Sequence, residues 1–344
     1  ATIHDWTTYW PYGTARWPPK LYDVTGPPGL QLVPQLVAGS VDHAIFVLPT
    51  GHLGVTGHDN YGQVGQGTLG QEYGTIISTS IEVTSVAASQ QTSVILTPNS
   101  QAARGTGKST YSAGPAIESH AYGTLGDSTV FINTPLTGAT DLAAGIYYSL
   151  AIKDGNLWGT GLSASGELGT GDYNPVPGWT DLGITASMVR TTGTDSNGTL
   201  IIKDGTVWGT GNAQLRGNLG YLGISSTFVD TGIAAVSIAM SELNSLILKP
   251  DGRVGGAGDQ VNVWTLNEAI AGDFVDLQIY NCTDIACNNT SAYVIRNGTV
   301  WSIGRNTFGQ LGIGTTTDSL NSWRDTGFAA DRVFAISVSV DCVI

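Results

Sequence analysis

Residues 102–109 read AARGTGKS and come close to the phosphate-binding pattern GxxxxGK[ST], ending at Lys108 and Ser109. Such a loop holds an anion on the backbone amides of an opening helix, with the lysine reaching its oxygens. Two features oppose that reading. Ala102 stands where the first glycine belongs, and the following STYSAGP is a poor helix start. His43, His52 and His58 lie close together with Asp59 beside them. Strand alternation sends neighbouring residues to opposite faces, so convergence on one metal is not implied. His43 reads better as a hydrogen-bonding residue between structural units. The three cysteines, Cys282, Cys287 and Cys342, are too few for a zinc site. Cys282 and Cys287 are near enough to pair; the alternative is small buried thiols. No GxSxG elbow occurs and no nucleophile stands beside a recognisable base. The chain therefore reads as a non-enzyme, with no cofactor and no metal.

What remains is recognition chemistry. Asp154, Asp204 and Asp251 sit in turns, where aspartate suits the backbone. Trp158, Trp208 and Trp301 occupy one recurring position, which points to shared packing rather than to a ligand cage. The stretch from Lys108 to Gly126 is the longest departure from regularity, and such departures carry contacts more often than the frame does. It holds Tyr111, His120 and Tyr122, the candidate binding residues.

The elements that position these residues repeat. Residues 149–161 read SLAIKDGNLWGTG, 199–211 TLIIKDGTVWGTG and 292–304 AYVIRNGTVWSIG. Each is an apolar run, an Asp-Gly or Asn-Gly turn and a second apolar run, the strongest short-range hairpin signal. Weaker copies stand at 44–57, 93–107 and 245–258. A second landmark follows each hairpin: GQVGQG at 62–67, GELGTG at 166–171, GNLG at 217–220 and GQLGIG at 309–314. A third closes the repeat: WTDLG from Trp179, FVDTG from Phe228 and WRDTG from Trp323. About four short strands per repeat of roughly 46–52 residues is the grammar of a propeller blade.

The expected fold is all-β: one domain over 1–344, a seven-bladed β-propeller closed by pairing of the N- and C-terminal segments in one blade. The approximate blades are 30–80, 81–140, 141–184, 185–233, 234–276, 277–330, and 331–344 with 1–29. Six hairpins are visible. The C-terminal SVSVDCVI matches the start of a repeat and stops before its turn, and WPYG at 10–13 mimics WGTG at 158–161. Shared closure would remove an open sheet edge.

At these residues the chain resembles the regulator-of-chromosome-condensation repeat family. WSIGRNTFGQLGIG, from Trp301 to Gly314, looks like its signature, and VAGSVDHAIFV, from Val37 to Val47, resembles its inner-strand motif with the usual histidine at His43. Tyr148 and Asn244 replace that histidine elsewhere. The resemblance implies a seven-bladed propeller closed by both termini. The family's founding members are nucleotide-exchange factors and chromatin binders that use particular loops and a basic tail, which has no counterpart here. Fold alone does not carry function across.

Composition narrows the partner. Net charge is −13, with only 14 Lys plus Arg and no basic cluster. A nucleic-acid face needs concentrated positive charge, so nucleic acid is not an expected partner. No apolar run approaches the length of a spanning helix, so no membrane insertion is expected. The first residues show no basic segment leading into an apolar one, the mark of a signal peptide. Gly-, Thr- and Ser-rich β-structure with few charges suits a virion protein, a phage-type tail or capsid appendage, or an extracellular surface protein. Its partners would be a protein or glycan receptor or neighbouring subunits, with homo-oligomers compatible. The alternative is a cytoplasmic regulatory scaffold or GTPase-regulating propeller.

Overall fold

The structure, a computed structural model, describes residues 37–344 except 41, 99–100, 113–117, 124–125, 193–197, 214–218, 222, 259–272, 336–341 and 344. Six four-stranded antiparallel sheets follow one another along the chain. Blade one is β1 (Val37–Gly39), β2 (His43–Val47), β3 (His52–His58) and β4 (Glu72–Glu82). Blade two is β5 (Ser85–Ala88), β6 (Thr92–Leu96), β7 (Ala103–Gly107) and β10 (Ser128–Asn133), with the hairpin β8 (Thr110–Ser112) and β9 (Glu118–His120) inserted before its last strand. Blade three is β11 (Ala139–Ala144), β12 (Tyr148–Lys153), β13 (Asn156–Gly161) and β14 (Val176–Thr185). Blade four is β15 (Met188–Thr191), β16 (Gly198–Lys203), β17 (Thr206–Asn212) and β18 (Ile224–Ala234). Blade five is β19 (Ser237–Met240), β20 (Asn244–Leu248), β21 (Val254–Gly258) and β22 (Val275–Asp276). Blade six is β23 (Cys282–Cys287), β24 (Ser291–Arg296), β25 (Thr299–Gly304) and β26 (Ser319–Ala329). A last pair, β27 (Phe334–Ala335) and β28 (Cys342–Val343), ends the chain.

Sequence pattern and burial agree strand by strand. The second strands HAIFV, TSVIL and NSLIL are buried at every position. A strand covered on both faces reads as a continuous apolar run. The outer strands alternate, as in β18, because one of their faces meets water. The apolar cores therefore lie between blades: Tyr148, Leu150 and Leu168 of blade three pack with Val189 and Ile201 of blade four.

The Asp-Gly and Asn-Gly hairpins are type I′, with positive φ at both central residues: 53° and 77° at Asp154 and Gly155, 51° and 79° at Asp204 and Gly205, and 51° and 79° at Asn297 and Gly298. The weaker copies at Gly51 and Gly252 differ. There only the glycine has positive φ, and its amide donates to Leu48 O or Lys249 O within a longer, three-residue loop.

Blade number corrects the sequence expectation. Seven blades were expected; the described residues form six four-stranded blades. At the seventh place the described residues hold the two-stranded β27–β28. Segment 1–29, expected to complete that blade, lies outside the described residues. The inner strands β1, β5, β11, β15, β19 and β23 contact one another in series, and β27 contacts both β23 and β1. One hydrogen bond repeats between neighbours. Asp141 on β11 accepts the Val189 amide of β15 at 3.1 Å, and Asp284 on β23 accepts the Val333 amide just before β27 at 2.9 Å.

Candidate protein-binding face

Alternating strand direction gives the wheel two unlike faces. One carries the tight hairpins between second and third strands together with the passages between blades. The other carries the connections from first to second strand and from third to fourth, which include the second landmark and the β8–β9 insertion.

The landmark folds as a double turn that grips the next blade. In GELGTG, Gly166 donates to Ser163 O at 2.9 Å and Gly169 to Gly166 O at 3.0 Å; the copies at Gly62 and Gly309 make the same two bonds. Thr210 of blade four donates to Gly166 O at 2.8 Å, and Gly171 donates to Ser226 O at 2.7 Å. The Phe228 ring occupies the space a side chain at Gly169 would need, so glycine is required there by close approach as well as by its φ of 70°.

The insertion uses the same socket. Gly123 receives Trp179 of blade three in the manner that Gly169 receives Phe228, and the Trp179 indole N–H donates to Tyr122 O at 3.1 Å. Tyr122 is fully buried, its hydroxyl donating to Gly126 O at 3.0 Å and lying 3.3 Å from Gly107 O. Burial pushes its hydroxyl up to about 12, so it stays protonated. Tyr122 is thus the root of the insertion. Tyr111 and His120 lie on β8 and β9, and β9 leans against β13 and β14 of the next blade.

Lys108 follows directly on β7 with no helix after it, so the phosphate-loop pattern has no phosphate-loop structure. Its ammonium lies 5.5 Å from the Tyr61 ring and 6.0 Å from the Tyr147 ring, joining blades one and three across the base of the insertion. The same face concentrates exposed apolar side chains. Tyr61, Leu69, Tyr173 and Phe308 stand in the connections from third to fourth strands, and Ile224 and Leu320 at the start of the strands that follow. They come from blades one, three, four and six of this face.

The opposite face is more uniform. Lys153 lies 4.8 Å from the Trp158 ring, Lys203 4.4 Å from Trp208 and Arg296 4.6 Å from Trp301. The recurring tryptophans are therefore capped by cations from their own hairpins. On the loop-bearing side, where β2 begins, His43 hydrogen-bonds Ser93 of blade two at 2.7 Å, and burial pulls its pKa down to about 3, so it is neutral. At the equivalent positions, Tyr148 donates to Gly198 O of blade four and Asn244 to Asn288 O and Asn289 O of blade six. Position and role agree with the sequence reading of these three.

Among the described residues no three metal-ligating side chains converge. Cys282 and Cys287 are free and buried, and burial raises their thiols to about 11 and about 12. No described helix is long and apolar enough to cross a membrane.

Sequence reasoning missed two groups of polar residues. Asp141 pairs with Arg190 at 2.8 Å, and Asp284 with Arg332 at 3.8 Å. Glu167, inside a landmark, is wholly buried. Aligning the repeats by their turns would have exposed it, since Gln63 and Gln310 hold the same place.

The regulator-of-chromosome-condensation (RCC1) repeat profile matches residues 297–323. No curated protein matches the sequence. The human WBSCR16 crystal structure superposes with a TM-score of 0.71 at 17% identity, covering 92% of this chain and 86% of that one. Prp20p of Saccharomyces cerevisiae gives 0.71 at 17% identity, covering 88% and 80%. Yeast RCC1 (Prp20) in its complex with Kap60 gives 0.68 at 16%, covering 83% and 73%. The chain is thus a β-propeller similar in fold to these RCC1-repeat propellers, with a match to one RCC1 repeat at 297–323.

Proposed function

We propose that this chain is a non-enzymatic, protein-binding propeller that regulates or scaffolds a folded protein partner, of the small-GTPase class, inside the cell. The observation that carries the reading is the gathering of Tyr61, Leu69, Tyr173, Phe308, Ile224 and Leu320 on the loop-bearing rim. A rigid wheel whose stability lies between its blades leaves such a rim free to specialise. The similar Prp20p has described binding to Gsp1p and histones, and yeast RCC1 has been solved bound to Kap60. Those are protein partners of propellers with this fold, and they support protein recognition here. The RCC1 resemblance adds the GTPase class. A virion or surface role, with a glycan or receptor as ligand, has composition alone behind it. A seventh blade completed by the N-terminal segment belongs to the same proposal, supported by β27 touching both β23 and β1.

The test is binding of purified, nucleotide-free small GTPases to the full chain by titration. Leu69→Ser and Tyr173→Ser, each on the loop-bearing rim, should weaken binding about tenfold or more, the cost of losing an interface anchor. Val236→Ser and Tyr280→Ser, exposed on the opposite face, should not. Absence of binding, or loss of binding from the opposite face, overturns the proposal.

A further inference from the structure

The loop between β13 and β14 carries Glu167 in the landmark position that Gln63 and Gln310 fill in blades one and six. All three use one side-chain oxygen alike. Gln63 Oε1 accepts the Tyr61 amide at 2.8 Å, Gln310 Oε1 the Phe308 amide at 3.0 Å and Glu167 Oε2 the Ser165 amide at 2.6 Å. The difference is the far atom. In Gln63 it is an amide nitrogen and in Glu167 it is Oε1; both are buried without a hydrogen-bond partner, but only the glutamate can carry a charge there. The Glu167 side chain is 0% exposed, wedged where blade three meets blade four.

We propose that Glu167 makes this loop a pH-dependent latch between blades three and four, closed when the carboxyl is protonated and loosened as the pH climbs toward neutrality. The protonated acid reproduces the neutral shape of glutamine. The carboxylate instead places a charge with no ion-pair partner among the described residues in a buried position. The titratable group facing it is Tyr148 on β12, held protonated by burial and by the nearby carboxylate. Among the described residues Thr199 on β16, which donates to Glu167 O at 2.8 Å, and Ser163 and Ser165 of the loop itself add uncharged neighbours. Burial pushes the Glu167 carboxyl up to about 7 from 4.5. A raised acid pKa gives stability that is complete below about 4.5 and lost as the pH rises to about 7, after which the loss levels off. What loosens is the grip described above: Gly166 and Gly171 on Thr210 and Ser226, and Thr199 on the Glu167 carbonyl. The same loop carries exposed Tyr173, so the latch lies within the proposed contact rim, yet it operates whether or not a partner is bound.

The experiment compares the full chain with Glu167→Gln between pH 4.5 and 9. It follows melting temperature and hydrogen exchange of the amides from Gly166 to Gly171, corrected for intrinsic exchange. The two proteins should melt alike at pH 4.5. The Gln variant should gain an advantage up to about pH 7 and keep it above, while wild-type loop opening rises by up to roughly tenfold per pH unit across that window. Parallel melting profiles, or loop exchange independent of pH in the wild type, overturn the latch. Should the variant fail to fold, carbon-13 labelling of glutamate in the wild-type chain decides it. A buried carboxyl titrating near 7 supports the latch, and titration of every glutamate near 4.5 overturns it.

Discussion

Replacing Asp141 by asparagine removes one charge and almost no volume, which isolates the electrostatics that join blades three and four. Both carboxylate oxygens are occupied. Arg190 Nη1 lies 3.1 Å from Oδ1 and 2.8 Å from Oδ2; Leu142 donates to Oδ1 at 3.1 Å and Val189 to Oδ2 at 3.1 Å. Side-chain exposure is 15% for Arg190 and 11% for Asp141, so water screens the pair poorly. Breaking a buried pair by removing one partner costs about 3–5 kcal/mol, chiefly through the stranded charge. Arg190 also lies within electrostatic range of Asp284, which keeps part of its compensation in Asp141→Asn. The lower end, about 3 kcal/mol, is expected for that variant. Arg190→Met strands the carboxylate instead, but burial already pushes the Asp141 carboxyl upward and protonation is an escape. A raised acid pKa gives stability below the unfolded value that is lost as pH rises. Arg190→Met should therefore be milder at pH 5 than at pH 8. The double variant, with no buried charge left at this site, should be less destabilised than the two single costs summed, by about 2 kcal/mol or more. Urea unfolding, followed by tryptophan fluorescence and circular dichroism at both pH values, measures all four proteins. Costs below 1 kcal/mol for both single variants, or simple additivity, would refute the reasoning.

Two further outcomes follow from the geometry. Because the folded pKa of His43 is lowered to about 3 from 6.5, its contribution is complete above pH 6.5 and is lost as the pH falls toward 3; melting curves of His43→Asn should be correspondingly flatter across that acid range. Deleting Ser337 to Ile344 removes β28 and leaves β27 without its partner, so the truncated chain should melt at clearly lower temperature or aggregate, and unchanged melting would place closure elsewhere.

The parts of the fold that were legible from sequence are those fixed by local chemistry. A type I′ turn demands positive φ at two successive residues, and KDGN, KDGT and RNGT announce it without reference to the rest of the molecule. PTGH and PDGR carry the same glycine in a different turn, so their copies read faintly. The continuous apolar second strands gave away burial on both faces. Blade closure was less legible, because no Asp-Gly or Asn-Gly turn marks residues 331–344. Tyr122 shows the opposite difficulty. It looked like part of a free insertion, yet the chain returns at Ala121-Tyr122-Gly123 to rebuild the socket that a landmark glycine supplies elsewhere, and Trp179 fills it.

Asp141, Asp284 and Glu167 were invisible for a related reason. An aspartate in a β-rich chain suggests a turn, and only its partner 48 or 49 residues onward shows that it spans two blades. That separation is the repeat length itself. In a propeller, a residue's decisive neighbour is often the copy of itself one blade away, so charge, hydrogen bonding and packing must be compared between equivalent positions. The comparison also separates stability from recognition. Positions that grip the next blade keep a hydrogen bond across the interface even where the residue changes, as at His43, Tyr148 and Asn244. Beyond the repeated landmark turns, the loop-bearing rim varies: it offers a lysine over two tyrosines at one place, an exposed tyrosine at another and an extra hairpin at a third. Variation in loops over interfaces that keep their hydrogen bonds is the arrangement in which binding can be altered without unfolding the wheel. Glu167 is the exception that couples the two. It is a gripping position carrying a titratable group, so the interface it seals, and the rim above it, answer to pH.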